Sequence, residues 1–348
     1  MAKTGMDLLK KEVLEPGLCV ACGGCVGLCP HISFFDGKVI CTDSCDLDDG
    51  RCYSVCPIAH QTEKTSIDKE PVGKCISIYR SRAKDNRLRE KSQYGGTVSA
   101  LIIAALEEGL IDEAILTSNG NGTSPRGVIA KTAAEVIECS GSRYTSSAAL
   151  EAFNKRIKEG SPPRLGVVAL PCQALSLALA KDSQKNSDQE IPEAELTVGL
   201  FCTWALKYRP FKGFLNKEDV TESLLRYDIP PPPAEVFQVF TGHKTREYPL
   251  TEIREFVQTG CAFCADLTAE FTDISVGVVE GMPDWNTLIV RKKKGKDLVD
   301  RAVAGGVLEL KELPREKQDH LFEASLLKRK RGKEKKKKKS NRRKDTQR

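Results

Sequence analysis

The residues of this chain best suited to chemistry are its cysteines, and their spacing says more than their number. Cys19, Cys22, Cys25 and Cys29 run as C-x2-C-x2-C-x3-C into Pro30, and Cys41, Cys45, Cys52 and Cys56 form a looser group ending on Pro57. These eight of the chain's 14 cysteines fall within the first 57 of 348 residues. Cys75, Cys139, Cys172, Cys202, Cys261 and Cys264 are scattered through the remainder. The first fifteen residues carry no apolar stretch of the export-signal kind, and no run of eighteen apolar residues occurs, so a cytoplasmic chain is expected. In a reducing compartment, thiols in such numbers serve metal ligation or redox chemistry rather than disulfides.

Three thiolates as close as the first three can take three corners of a [4Fe–4S] cubane, while Gly23 and Gly24 let the backbone turn its amides toward the sulfurs. The run is that of bacterial two-cluster ferredoxins, in which the fourth cysteine serves the other cluster. By that crossover Cys19, Cys22, Cys25 and Cys56 hold one cluster, and Cys41, Cys45, Cys52 and Cys29 the other. The acidic insert Asp46-Leu-Asp-Asp-Gly-Arg51 stretches the second group, which leaves one incomplete or unusual cluster open there. Zinc is the alternative for the first group, but it accounts for neither the third closely spaced cysteine nor the terminal proline. Clusters pass single electrons and make no bonds, so another group must start or end the chain of transfer.

The elements that would position such a group begin beyond the cysteine-rich module, which has too few large apolar residues to fold without metal. After a linker at 66–91, Val98, Leu101, Ile102, Ala105 and Leu106 recur at helical spacing, with Gly109 as a stop. Glu113–Thr117, Gly127–Lys131, Arg164–Leu170 and Leu196–Phe201 read as strands. Thr132 with Glu135 is a capping box, and Ala148–Glu159 a further helix. This order predicts an α/β (α+β) core with a mainly parallel sheet, whose ligands gather beyond the carboxyl ends of the strands, where Cys172 and Cys202 fall. Tyr227-Asp-Ile-Pro-Pro-Pro-Pro233 reads as an extended joint.

Charge divides the chain. Residues 328–348 hold 14 Lys and Arg against two acidic groups, whereas residues 1–327 hold 40 basic and 46 acidic groups. The basicity belongs to a tail with no apolar face, expected to be disordered. Such a tail binds anionic lipid, nucleic acid or nothing specific; without interleaved aromatics or a recognisable nucleic-acid fold, nucleic acid is disfavoured.

Ser92-Gln-Tyr-Gly-Gly-Thr-Val-Ser99, Glu107-Glu-Gly-Leu-Ile-Asp112, Gly141-Ser-Arg-Tyr-Thr145, Leu170-Pro-Cys-Gln173, Gly199-Leu-Phe-Cys202 and Gly260-Cys-Ala-Phe-Cys-Ala-Asp266 occur in that order. Residues 92 to about 290 thereby resemble the family of beta subunits of coenzyme F420-reducing hydrogenases and F420-linked formate dehydrogenases. With a two-cluster module in front, the chain looks like the subtype of the F420H2 dehydrogenase electron-input subunit. The resemblance implies FAD and a further [4Fe–4S] cluster in the core, with Cys172, Cys202, Cys261 and Cys264 as its ligands. Inert packing is the alternative for these four, and Cys75 and Cys139 read as plain buried thiols. The domains expected are a module at 1–65, the linker, a flavin- and cluster-binding core at 92–325 and a tail at 326–348.

For the flavin, the resemblance points to Ser92, Gln93, Tyr94, Gly95, Gly96 and Thr97 ahead of a helix and to Ser142, Arg143, Tyr144 and Thr145 in a loop. An ordinary turn is the alternative at Gly95-Gly96. Asp266 reads as a contact to coenzyme or cluster, or as a solvated carboxylate. No G-x-G-x-x-G occurs, which disfavours a nicotinamide substrate. A deazaflavin gives up a hydride and a cubane takes single electrons, so a flavin between them makes the parts coherent. No side chain is required as general acid or base; His31, His60, His243 and His320 stay unassigned. The implied function is oxidation of reduced coenzyme F420 through FAD and clusters to a protein acceptor or a larger redox complex, with the basic tail as a candidate peripheral contact to an anionic membrane. The alternatives are the same chemistry in another F420-linked complex and a non-catalytic iron–sulfur carrier.

Overall fold

The computed structural model describes residues 5–45, 50–64, 70–118, 124–159, 163–184, 193–220, 224–230, 234–242 and 244–345. Most of the acidic insert (46–49), prolines 231–233 and His243 lie outside the described residues. The strands are β1 Ile32–Phe35, β2 Lys38–Cys41, β3 Ser77–Ala83, β4 Glu113–Thr117, β5 Gly127–Ala130, β6 Leu165–Ala169 and β7 Leu196–Leu200. They continue as β8 Leu224–Asp228, β9 Val236–Thr241, β10 Thr245–Pro249, β11 Ile274–Val278, β12 Asn286–Val290 and β13 Leu308–Glu312.

Eight of these strands form one sheet in the order β13-β3-β12-β11-β7-β6-β4-β5. Only its middle is parallel, through the pairs β4·β6, β6·β7 and β7·β11. The flanking pairs β4·β5, β11·β12, β12·β3 and β13·β3 are antiparallel. The mainly parallel sheet expected from the sequence is thus a mixed one. The cause is connection length: seven residues separate β11 from β12 and nine separate β4 from β5, too few for the crossover a parallel pair needs. The expected linker is also part of the fold, because β3 lies inside the sheet and the helix Asn86–Lys91 follows it.

Period-two alternation sends side chains to opposite faces. Ala114 and Leu116 join the helices Thr97–Glu107 and Lys293–Ala304 through Leu101, Ile102, Leu298 and Val299. Ile115, Leu165 and Val167 meet the helices Leu150–Arg156 and Pro171–Gln184 through Leu150, Phe153 and Ala174. Each fully buried leucine or isoleucine here contributes about 1.5–3 kcal/mol. The capping box forms as read: Glu135 N donates to Thr132 Oγ1 at 3.3 Å and Thr132 N to Glu135 Oε2 at 3.0 Å. A separate antiparallel sheet, β10-β9-β8, packs Phe237 and Val239 against Phe211 and Leu215 of the helix Tyr208–Lys217. Tyr227 and Asp228, read from sequence as part of a joint, therefore end a strand.

The cysteine-rich module is fastened to the core rather than strung from it. One side-chain amide nitrogen, Asn154 Nδ2 in a buried position, donates to the carbonyls of Gly23, Gly24 and Val26 at 3.2, 2.9 and 2.8 Å. Ser176 Oγ donates to Val55 O at 2.8 Å from the other side. Arg291 holds the segment behind the module, donating to the carbonyls of Val72 and Lys74 at 2.9 and 3.1 Å and to Thr268 Oγ1 at 2.9 Å.

The last helix, Arg315–Asp345, departs most from the sequence reading. Disorder from Lys328 onward is corrected: Ser325, Lys328, Arg329 and Gly332 form a buried stripe at helical spacing, while Leu326 and Leu327 are exposed. The stripe is polar, so it has none of the apolar pattern by which a packed helix is found in sequence.

Replacing Asn154 by alanine strips three buried carbonyls of a donor and is expected to cost about 1–3 kcal/mol. Urea unfolding of the anaerobically purified chain measures it, and an unmoved midpoint would refute the clamp.

Candidate functional site

Parallel pairing delivers the core cysteines to one end of the sheet. β6 leads into the helix Pro171–Gln184, placing Cys172 in its first turn, and β7 leads directly to Cys202. Cys202 N donates to Leu267 O at 2.9 Å and Gln258 N to Ala205 O at 2.8 Å, which lays the chain around Cys261 and Cys264 alongside. Cys264 N donates to Cys261 O at 3.1 Å, closing a tight turn between them. The four cysteines line one pocket together with Cys22 and Pro57 of the N-terminal module and with Lys328.

This arrangement suits a cubane. Each thiolate of a [4Fe–4S] cluster takes a different iron, so the donors ring a space instead of meeting at a point. Among the described residues, no three His, Cys, Asp or Glu side chains gather tightly enough for a single metal ion. Burial first, then the nearness of Cys22, Cys202, Cys261 and Cys264, drives the Cys172 thiol well above its ordinary range. Burial likewise pushes Cys261 up to about 12. Thiols so placed ionise only against a compensating positive charge, which iron would supply.

The eight N-terminal cysteines lie close enough to act on one another within and across the two expected groups. Cys25, raised chiefly by burial, also feels Cys19, Cys22, Cys56 and Cys52, and Cys19 feels Cys41 besides Cys56. Cys52, pushed up to about 11 by burial, feels Cys29, Cys45 and Cys41. Cys22 faces both ways, toward Cys56 and Cys19 in the module and toward Cys172 in the core.

The two loops expected to hold a flavin come together. Ser99 and Ser140 share a hydrogen bond of 3.0 Å, and Gln93 Nε2 donates to Tyr144 Oη at 3.3 Å. Gln93 Nε2 and Tyr94 Oη also donate to Asp228 Oδ1 at 2.8 and 2.9 Å. Tyr94 is held at a φ of +59°, a conformation a bulky residue adopts only when its surroundings enforce it. Beside this network Ser92 Oγ and Gln93 Oε1 are buried with no hydrogen-bond partner among the described residues, as polar atoms awaiting a ligand would be. A flavin fits here.

Other expected contacts have structural duties. A Cβ on Gly95 would lie 2.8 Å from Asn286 Oδ1 and 2.9 Å from Ser81 O, so this glycine is required for close packing. Thr97 N donates to Asn286 Oδ1 at 3.1 Å and Thr97 Oγ1 pairs with Ser81 Oγ at 2.9 Å, which ties the helix start to the sheet. Arg143 donates to the carbonyls of Ser140 and Ser142 at 3.0 and 3.3 Å, and Thr145 bridges to Leu206. Asp266 lies with the core cysteines, away from both loops; it is buried and accepts from the amides of Thr268 and Glu270, each at 2.9 Å. It shapes the turn after Cys264 and is not a solvated carboxylate.

Comparison with known proteins agrees with this architecture. Residues 78–154 match the family model for the N-terminal part of the coenzyme F420 hydrogenase/dehydrogenase beta subunit, and residues 163–316 match that for its C terminus. The chain belongs to this family. It is 30% identical to the coenzyme F420 hydrogenase subunit beta of Methanothermobacter thermautotrophicus, over 69% of this chain and 85% of that one. One of the subunits of the F(420)H(2) dehydrogenase of Methanosarcina mazei is 25% identical over 83% of each chain. The coenzyme F420-dependent sulfite reductase of Methanocaldococcus jannaschii is 29% identical over 88% of this chain, which spans 49% of that protein. A chain in a solved structure of the F420-reducing [NiFe] hydrogenase complex from Methanosarcina barkeri superposes with a TM-score of 0.67 at 26% identity, covering 78% of this chain and 95% of that one.

Two residues of this chain escaped the sequence reading. Asp228 sits before a proline run that reads as a joint. Lys328 lies past the family match, within a run of basic residues that reads as solvated. Burial draws the Lys328 ammonium down, but Cys264, Cys202, Asp266 and Cys261 more than offset this and hold it above the ordinary lysine range.

Burial first, then the charge of Asp228, holds the Tyr94 hydroxyl protonated far above the usual tyrosine range. In Asp228→Asn the second cause disappears, so phenolate should form at lower pH than in the parent chain, though still above the ordinary range. Ultraviolet difference titration against Tyr94→Phe reads this; coincident curves for parent and Asp228→Asn would exclude the contact.

Proposed function

We propose that this chain is the electron-input subunit of an F420-linked redox complex, oxidising reduced coenzyme F420 by hydride transfer to FAD and passing electrons through three [4Fe–4S] clusters to a protein acceptor. The observation that carries this reading is the pocket that Cys172, Cys202, Cys261 and Cys264 share with Cys22. It joins the core thiols to the N-terminal module without an intervening layer. The like length of the dehydrogenase relative, matched over 83% of each chain, favours the dehydrogenase form of the reaction over the hydrogenase form.

When bound, a flavin accepts the hydride of a reduced deazaflavin and releases its electrons singly, and the clusters relay them. The protein's part is positional. Ser92 and Gln93 offer unsatisfied polar atoms to the flavin, and Asp228 keeps Gln93 and Tyr94 in place. Tyr144 lies edge-on to Phe237 at 5.4 Å, which backs that loop with aromatic packing and keeps water from it. Cys172, Cys202, Cys261 and Cys264 hold the core cluster; Cys19, Cys22, Cys25 and Cys56 the next; Cys41, Cys45, Cys52 and Cys29 the last. Hydride transfer between stacked rings needs geometry more than proton transfer, so no general acid or base is assigned. The acceptor's potential sets the direction of flow.

The lysine-rich residues from 333 onward suit attachment to an anionic membrane face. Truncation after residue 337 should abolish co-sedimentation with phosphatidylserine vesicles; unchanged sedimentation removes the membrane contact. No described helix is long and apolar enough to cross a membrane.

Anaerobically purified, cofactor-loaded chain mixed with reduced F420 should bleach at flavin wavelengths before the broad cluster absorption falls, whereas NADH and NADPH should leave both unchanged. Cys172→Ser should lose about four of about twelve irons per chain. Zinc in place of iron, or clusters that reduce ahead of the flavin, would overturn the reading.

A further inference from the structure

Burial of an ammonium group requires a nearby negative charge, and at Lys328 the surrounding carboxylates do not provide a direct one. Lys328 is 3% exposed and its Nζ donates to the carbonyl of Cys202. Among the described residues, no carboxylate oxygen lies within ion-pair distance of it. The two Asp266 oxygens accept from the amides of Thr268 and Glu270, and Glu270 pairs with Arg329 at 2.5 Å. All four core cysteines line the same pocket as Lys328.

The position is built. Ser325 Oγ donates to Pro71 O at 2.6 Å, and Arg329 donates to the carbonyls of Glu70 and Pro71 at 3.1 and 3.2 Å. One turn on, a Cβ at Gly332 would lie 2.8 Å from Cys264 O, so the helix backbone rests directly on the turn that carries two of the thiols. The ammonium is fixed between these anchors. Neighbouring Lys330 points to solvent.

Resting on the reading that Cys172, Cys202, Cys261 and Cys264 hold a [4Fe–4S] cluster, we propose that Lys328 is the fixed counter-charge of that cluster and sets its reduction potential above the value the four thiolates alone would give. A four-thiolate cubane is anionic and gains one further negative charge on reduction. A cation held in the same low-dielectric pocket stabilises the reduced form more than the oxidised one. Lys328 is therefore a positioning residue for electron transfer, touching neither substrate nor flavin. It is supplied by a segment beyond the residues matched to the family.

The test is a redox titration, followed by electron paramagnetic resonance, of the full chain purified without oxygen, with iron and sulfide measured on each sample. In Lys328→Met, the reduced-to-oxidised ratio of one cluster at a fixed potential should fall by about tenfold, which is about 59 mV for a one-electron couple. The other two clusters should not move. Lys328→Arg should titrate as the parent does, and so should Lys330→Met, which removes the same net charge from the outward face. Unmoved midpoints in a fully loaded Lys328→Met chain, or equal shifts of all three clusters, would overturn the proposal. So would Lys328→Arg shifting as far as Lys328→Met, or both variants losing iron alike, since the lysine would then act only as a structural staple. Cys172→Ser separates the underlying reading: if all three signals survive in it, no cluster is held by the core thiols.

Discussion

Parallel pairing of β6, β7 and β11 is the constraint on which the rest of the molecule depends. Chains leaving parallel strands all emerge at the same edge, so Cys172 and Cys202 are neighbours by topology rather than by sequence. The amide of Cys202 and the carbonyl of Ala205 then draw in the segment carrying Cys261 and Cys264. Everything else at that edge answers the crowding of thiols there. The N-terminal module brings Cys22 to the same pocket, and the last helix brings a cation.

How much of this was legible in the sequence depended on whether the signal was local. The N-terminal cysteines and the strands β4, β6 and β7 were readable because close thiol spacing and short apolar runs carry their meaning within a few residues. Sheet direction was not readable in that way. Nothing in Val279–Trp285 announces that β12 turns back along β11, because hairpin and crossover differ in the length of the connection and in its partner. The linker reading failed for a related cause: β3 keeps Arg80 and Arg82 on its half-exposed face, where their guanidinium groups lie over Trp285 at 4.9 and 4.5 Å, and so lacks an apolar run.

The two positions that sequence did not single out share one physical origin. Asp228 and Lys328 act through tertiary partners distant in sequence, Gln93 and Tyr94 for the first and the carbonyl of Cys202 for the second. A buried stripe of Ser325, Lys328, Arg329 and Gly332 is indistinguishable in composition from a solvated face. It packs because backbone carbonyls, not side-chain hydrocarbon, receive it. Gly95, expected to touch a flavin, has a further duty that sequence does not reveal: the packing of Asn286 and Ser81 against the helix start leaves no room for a Cβ there.

The clamp made by Asn154 has a consequence for how charge travels. A single amide group pinned to three carbonyls, together with Ser176 bonded to Val55, ties the described cysteine-rich residues to the core. On the proposed function the chain would be a fixed wire and not a shuttle, its internal hops set by fixed separations and insensitive to solvent viscosity. Only the docking of whatever lies at either end is free to be slow.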